Sequence, residues 1–449
     1  MDEKQSSISV LMLPWLAHGH ISPFLELAKR LTKRDFFIYL CSTPVNLNSI
    51  KKRLTENESH SIQLVELHLP SLPDLPPHCH TTNGLPTHLM TTLKQAFEMS
   101  TPNFSKILKT LKPNLLIYDY NQPWAASIAS FHNIPSVQFL IFGTAFMSYI
   151  IHTLKNPSLQ FPFPAIYIHE PERVMVRGLI DASVNGVTDG ERFLQALEQS
   201  CNVVLIKTIS TDTERKYMDY FSALANKKMV SLGRLIQDPV NIEDECTEIM
   251  QWLNKKDESS TVFVCFGSEF FLSKEDMEEL AHGLELSKVN FIWAVRFPMG
   301  EKIRLEEALP EGYLERVGER GMVVEGWAPQ AKILSHPSTG GFVSHCGLSS
   351  IMESMMFGVP IIAMPMNIDQ PFNARVVEEI GVGVEVKREN DERVEREEIA
   401  KVIRKVVVEK NGENIRSKAR EMSEHIRLNG EEEMDGVADE FIQLCKQRK

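Results

Sequence analysis

Three stretches of this sequence carry side chains whose types and spacing suit catalysis. In Trp15-Leu16-Ala17-His18-Gly19-His20 an apolar run, Ile8 to Pro14, ends in a glycine turn before a helical segment, Pro23 to Thr32. A histidine there stands at the carboxyl edge of a strand, where a general base would face a ligand. His20 is well placed for that role and His18 is the alternative, while a lone histidine at a turn is often structural. A second run, Leu115 to Asp119, ends in a carboxylate. Paired with a histidine it would fix the imidazole tautomer and stabilise the imidazolium; alone it would equally cap the helical segment Gln122 to Phe131. In the third stretch, Gly340 to Ser344 reads as a short strand, followed by His345-Cys346-Gly347-Leu348-Ser349-Ser350 and a helical run, Ile351 to Phe357. A strand, a small-residue turn and a helix amino terminus make an anion site, because unpaired N–H groups and the helix dipole converge there. Two hydroxyls and an imidazole join them, which suits a diphosphate leaving group. No lysine follows the glycine as in a phosphate-binding loop, and no G-x-G-x-x-G follows the first run, so a dinucleotide enzyme is disfavoured.

These groups need a scaffold, and the pattern along the chain supplies one. Short β-rich runs alternate with segments of helical period, the mark of an α/β fold with βα units stacked on parallel sheets. The first half has runs at Ile8–Pro14, Phe36–Ser42, Ile62–Leu67, Leu115–Asp119, Ser136–Leu140, Val203–Lys207 and Met229–Gly233. The second has them at Thr261–Gly267, Asn290–Val295, Met322–Glu325, Gly341–Ser344, Pro360–Met364 and Val382–Val386. Between the halves, Gln237 to Ser260 is polar and acidic apart from a helical patch at Met250 to Leu253. This divides the chain into a first domain, 1–236, a linker, 237–260, and a second domain, 261–434, with 435–449 as a terminal extension. A length of 449 residues suits two such domains. Two doubly wound sheets bind ligands beyond the carboxyl ends of their strands, so a cleft between the halves is the expected site.

Composition narrows the function classes. A net charge of −12 speaks against nucleic acid as partner. The amino terminus lacks the basic flank and apolar core of a signal peptide, and no run approaches the ~20 apolar residues of a membrane span. Seven cysteines without a C-x-x-C pair fit free thiols in a reducing compartment, so the cytoplasm is expected. The proline-rich stretch Leu69 to Leu85, with His78, Cys79, His80 and the nearby His88, reads as a surface loop rather than a metal site, since no ligand spacing recurs. The charged run Lys387 to Glu397 reads as a solvated face and helix start. No D-x-D pair is available to clamp a nucleotide-bound cation.

The span from Trp327 to Gln370, WAPQAKILSHPSTGGFVSHCGLSSIMESMMFGVPIIAMPMNIDQ, resembles the signature box of plant secondary-product UDP-glycosyltransferases. PWLAHGH, the run ending LLIYD and the FGS turn at Phe266 to Ser268 extend the resemblance along the chain. It implies two facing Rossmann-like domains, the GT-B architecture, with an inter-domain cleft, an acceptor site mainly in the first, a donor site mainly in the second, and a terminal helix within Asp435 to Gln447 that crosses back. It also implies an inverting transfer from a UDP-sugar, UDP-glucose above all, with no metal or other cofactor. His20 matches the family's base and Asp119 its partner. Trp327 would stack on uracil beside Ala328, Gln330 and Glu353 would bind ribose, and His345, Gly347, Ser349 and Ser350 would hold the phosphates with Ser268 opposite. Asp369 and Gln370 would grip sugar hydroxyls. Trp15, His18, Phe142 and Phe146 are the candidates for the acceptor side.

Two positions depart from the family's pattern. Leu348 stands where most members have tryptophan and Ser349 where many have asparagine. The serine and the loop PPHCHTTNGLPTHL resemble the branch that adds sugars to sugars, including members that lengthen glucose chains on triterpenoid glycosides of the mogroside type. A small-molecule glycoside is therefore the expected acceptor, for a monomeric enzyme. Aglycones such as flavonoids are the alternative, and a UDP-sugar-binding protein without turnover is the reading from another class. A phosphorylase is disfavoured, since no lysine motif for pyridoxal phosphate is present.

Overall fold

A computed structural model describes residues 8–208, 211–233, 235–236, 247–267, 271–297, 304–389 and 393–446. The chain forms two compact units. One contains Met1–Phe161, Val176–Leu235 and Asn429–Lys449; the other contains Pro162–Met175 and Ile236–Leu428.

The first unit is built on a parallel sheet of β1 (Ser9–Leu13), β2 (Phe37–Ser42), β3 (Ile62–Glu66), β4 (Leu115–Tyr118), β5 (Ser136–Leu140), β6 (Val203–Ile206) and β7 (Lys228–Ser231). Their order is β3-β2-β1-β4-β5-β6-β7. The central strands β1, β4, β5 and β6 are buried on both faces and are near-continuous apolar runs, whereas the edge strands β3 and β7 are partly exposed. Successive side chains of β1 serve different cores. Val10 and Met12 join Phe24, Leu27 and Phe139, whereas Leu11 and Leu13 join Leu116, Tyr118, Phe97 and Phe104. The helices that concern the site are α1 (His18–Thr32), α2 (Pro123–Phe131) and α3 (Thr144–Lys155).

The second unit repeats the plan with β8 (Thr261–Cys265), β9 (Asn290–Val295), β10 (Gly321–Glu325), β11 (Thr339–Ser344), β12 (Ile361–Ala363) and β13 (Gly383–Glu385), ordered β10-β9-β8-β11-β12-β13. Val262 and Val264 face one core, while Phe263 faces the other and stacks on Phe342 at 5.2 Å. Helices α4 (Leu348–Phe357) and α5 (Gln370–Ile380) follow β11 and β12. The final helix, α6, runs over Glu413–Lys446.

All thirteen expected runs are strands, with ends shifted by a residue or two. Several other expectations change. The first helix begins at His18, not Pro23, so His20 lies in its first turn. Pro23 therefore lies inside the helix, beyond its first turn, where its missing N–H removes one intrahelical hydrogen bond. The terminal helix is far longer than Asp435 to Gln447, since no proline interrupts the chain from residue 413 onward and its two glycines, Gly430 and Gly436, cost a helix only about 1 kcal/mol each. The charged run 387–397 includes a small antiparallel pair, Arg388–Glu389 with Arg393–Val394, before the helix at Arg396. The loop expected on the surface is partly tucked in. Leu75, His80 and Thr81 are buried, Thr82 N–H donates to Leu16 O, and the Thr43 hydroxyl donates to His80 O.

Among the described residues no group of three or more His, Cys, Asp or Glu is arranged to hold a metal ion. The described cysteines are free thiols. No described helix is long and apolar enough to cross a membrane.

Candidate active site

In each unit the strand order reverses beside the first strand of its sheet, and the chemistry-bearing residues gather there. The first unit pairs Leu13 with Tyr118, which brings the carboxyl ends of β1 and β4 level and sets Asp119 beside the β1–α1 connection. His20 Nδ1 lies 2.7 Å from Asp119 Oδ2. Asp119 is fully buried; its Oδ2 also accepts Trp15 N–H at 3.0 Å and its Oδ1 accepts Tyr120 N–H at 2.8 Å. An ionised carboxylate only accepts, so His20 Nδ1 carries the proton and Nε2 presents a lone pair. Helix α2 starts at Pro123 with Gln122 at its N-cap, so Asp119 lies outside that cap. Gln122 instead turns back, its Oε1 accepting Asp119 N–H at 3.0 Å.

Aromatic rings hold the imidazole from two sides. Tyr120 stacks on His20 with centroids 5.6 Å apart, and Phe142 meets it edge-on at 5.5 Å. Phe146, on α3, continues this wall 5.6 Å from Phe142. Tyr120 was not among the sequence candidates; an aromatic directly after a strand-ending carboxylate was the available signal. Burial pushes its hydroxyl pKa well above the usual tyrosine value, so it remains a neutral phenol. Trp15 is only 5% exposed and packs its indole edge-on against Phe97 in the core. It reaches the site through its main-chain N–H. His18 is half-buried, with Nε2 3.3 Å from Ser49 Oγ.

In the second unit Cys265 pairs with Ser344, so Gly267 and His345 emerge side by side. A Cβ on Gly267 would lie 2.8 Å from the His345 ring, and one on Gly347 would lie 2.7 Å from it. Gly267 has φ of +76°, a second reason for glycine. Burial pushes the His345 pKa down to about 4, against a smaller pull from the Cys265 main chain, so the ring is neutral at physiological pH. Helix α4 has Gly347 at its N-cap, no side-chain cap and no acidic residue in its first turn. Its amino-terminal N–H groups and dipole thus favour an anion. Leu348 opens that helix and is 8% exposed, while Ser349 is exposed and Ser350 half-buried.

The remaining candidates in this unit form two small groups. Gln330 Nε2 donates to Glu353 Oε2 at 2.7 Å and to Ser350 Oγ at 3.3 Å. Trp327 nearby in sequence is 53% exposed, whereas Ala328 is buried. At the start of α5, Gln370 Oε1 accepts Met366 N–H and Asn367 N–H, both at 3.0 Å. Asn373 Nδ2 bridges Asp369 Oδ2 at 2.8 Å and Cys346 O at 3.0 Å. Ser268 lies outside the described residues.

In the first unit a hydrogen-bonded imidazole is suited to taking a proton from a hydroxyl, and in the second an uncapped helix terminus is suited to holding the phosphate of a leaving group. Similarity to known proteins names the group. Residues 192–420 match the family described as UDP-glucoronosyl and UDP-glucosyl transferase, and residues 6–181 match the glycosyltransferase N-terminal domain. UDP-glucosyltransferase 29 of Panax ginseng is 54% identical, over 100% of this chain and 99% of that protein. Mogroside IIIx synthase of Siraitia grosvenorii is 56% identical, over 99% of this chain and 95% of its own length. A solved UDP-glucosyltransferase from Polygonum tinctorium, described as capable of glucosylating indoxyl, aligns with a TM-score of 0.79 at 26% identity, covering 97% of this chain and 98% of that one. The chain therefore belongs to the UDP-glucuronosyl and UDP-glucosyl transferase family and is a UDP-sugar-dependent glycosyltransferase of GT-B fold.

Proposed function

We propose that this enzyme transfers glucose from UDP-glucose, with inversion, to a hydroxyl of an already glycosylated small molecule, extending the sugar chain of a triterpenoid glycoside through a β-glycosidic bond. The observation that carries the catalytic part is the buried His20–Asp119 pair at 2.7 Å. His20 Nε2 takes the proton of the acceptor hydroxyl as that oxygen attacks the anomeric carbon opposite UDP. The bond from that carbon to the diphosphate breaks and its electron pair leaves with UDP. Asp119 stabilises the imidazolium that forms. Acceptor binding falls to the first domain, 1–236, with Phe142 and Phe146 as its wall and His18 at its edge. The linker 237–260 joins it to the donor domain, 261–434, and 435–449 holds the end of the terminal helix that packs back on the first domain.

On the donor side, the exposed indole of Trp327 stacks on uracil beside Ala328, and the Gln330–Glu353 pair takes the ribose hydroxyls. His345, with the N–H groups of Gly347 and Leu348 and the hydroxyls of Ser349 and Ser350, holds the diphosphate and its developing charge. Ser268 is assigned to the same phosphates by sequence. Asp369 and Gln370 bind the sugar hydroxyls. The helix terminus supplies the charge stabilisation that a divalent cation gives elsewhere, so EDTA is expected to leave the rate unchanged; abolition reversed by Mg²⁺ or Mn²⁺ would overturn that. We place the enzyme in the cytoplasm as a monomer, which sedimentation of the purified chain tests.

The glycoside acceptor is supported by the named relative that makes mogroside IIIx and by Ser349. Incubation with UDP-glucose and matched aglycones, monoglucosides and diglucosides, read by mass and NMR, checks it. Products one hexose heavier with a β-anomeric signal are expected from the glucosides. Turnover of aglycones alone would replace that acceptor class, and UDP bound but never released would remove catalysis.

A further inference from the structure

Pro162–Met175 clusters with the second unit although the chain on either side of it belongs to the first. A network of charges around α5 holds it. The Arg375 side chain, 1% exposed, donates to Glu172 Oε1 at 2.8 Å and lies 3.7 Å from Glu385 Oε2. Its guanidinium sits 4.6 Å over the Tyr167 ring, and the Tyr167 hydroxyl donates to Glu385 Oε2 at 3.2 Å. The segment ends at Met175, whose Sδ accepts the N–H of Ile368 at 3.2 Å.

Ile368 has φ of 55°. A β-branched residue in the left-handed region is strained, and such a conformation persists only where its surroundings hold it. It directly precedes Asp369, and the turn it belongs to is pinned from the other side by Gln370 and Asn373. We infer that Pro162–Met175 is a donor-positioning strap: Met175 holds Ile368 in its strained conformation and so sets Asp369 and Gln370 for the hydroxyls of the transferred sugar. The inference rests on the assignment of those two residues to the sugar. Met175 and Ile368 are positioning residues, since neither needs to touch the donor. Uracil, ribose and phosphate are gripped by other elements, so the strap governs the sugar and not the nucleotide.

The full-length enzyme tests this through Met175→Ala and, more gently, Glu172→Gln. Calorimetric affinities for UDP and UDP-glucose are read without acceptor, and kcat/KM for UDP-glucose with one. Met175→Ala is expected to lower kcat/KM about tenfold while UDP affinity stays within about twofold, with Glu172→Gln smaller in the same direction. Glycine adopts φ of 55° unaided, so in an Ile368→Gly background the loss from Met175→Ala should shrink to about twofold or less. An unchanged kcat/KM, an equal weakening of UDP and UDP-glucose, or full additivity of the two substitutions would overturn the strap. A wild-type enzyme that binds UDP-glucose yet transfers to no acceptor would sink the proposed function and leave the affinity ratio still readable.

Discussion

His20 and His345 occupy equivalent ground, each beside the strand where its sheet order reverses, yet they are prepared for opposite tasks. His20 has a buried carboxylate on Nδ1, aromatic rings on two sides and a lone pair on Nε2. His345 lies against Gly267 and Gly347, and burial holds its pKa at about 4. A carboxylate partner fixes which nitrogen carries the proton and leaves the other to accept one, which suits a base. Burial without one disfavours the proton, and a neutral imidazole can line a phosphate site without adding charge. Under the proposed roles, the same fold position serves acid–base chemistry or anion binding according to one neighbour.

Removing the base breaks the comparison most severely. His20→Ala is expected to lower kcat by at least ~100-fold with UDP affinity unchanged, because a positioned base contributes about 10²–10⁴. Steady-state rates and UDP titration check it, and loss from His18→Ala instead would move the base. Asp119→Asn keeps the shape but removes the charge that stabilises imidazolium. It should cost about tenfold or more, the equivalent of at least ~1.4 kcal/mol. A normal rate would reduce Asp119 to a support for the Trp15 and Tyr120 main chain.

The other histidine predicts a different signature. His345→Asn is expected to weaken UDP about tenfold, the worth of one hydrogen bond to a charged group. It should also alter stability in acid. Between about 4 and 6.5, its folded and ordinary values, the unfolded chain binds more protons at this residue than the folded one. Stability from this group is thus complete above about 6.5 and is lost as pH falls toward 4. His345→Asn should flatten that slope, which melting temperatures across the window measure. An identical slope in both proteins would mean that His345 is not held neutral.

How far the sequence disclosed these features depends on the range of the interaction involved. Strands such as Leu115–Tyr118 were legible because burial on both faces demands an uninterrupted apolar run. His20 and Asp119 were legible as strand-end residues, but their pairing depends on the register of Leu13 with Tyr118 across about a hundred residues, which spacing alone leaves open. Tyr120 was missed because stacking has no sequence period. Trp15 was expected at the acceptor, but whether an indole faces core or ligand is decided by Phe97, distant in sequence. The first half read as an unbroken domain because nothing local to Tyr167 or Glu172 announces Arg375, some two hundred residues on. Ile368 shows the limit most plainly, since isoleucine is what local preference would exclude from its φ of 55°.

The smallest effect is expected at Leu348, where the family's tryptophan is replaced. The side chain opens α4 and is 8% exposed, so most of it packs against protein. An indole there would have to displace its neighbours or turn outward, and overpacking costs about 1–3 kcal/mol of stability. What it would add is a flat surface near the transferred sugar, improving orientation and leaving the nucleotide grip to Trp327, Gln330 and Glu353. Leu348→Trp is therefore expected to lower the melting temperature while raising kcat with a small acceptor about threefold, near 0.7 kcal/mol of transition-state positioning. With a bulky glycosylated acceptor the gain should vanish, because the ring would take space that the existing sugar needs. Kinetics of both forms on a monoglucoside and on a larger glycoside would show this as a change in their ratio. An equal response to the two acceptors would mean that position 348 does not sense the reacting sugars, leaving its backbone N–H at the helix terminus as its whole contribution.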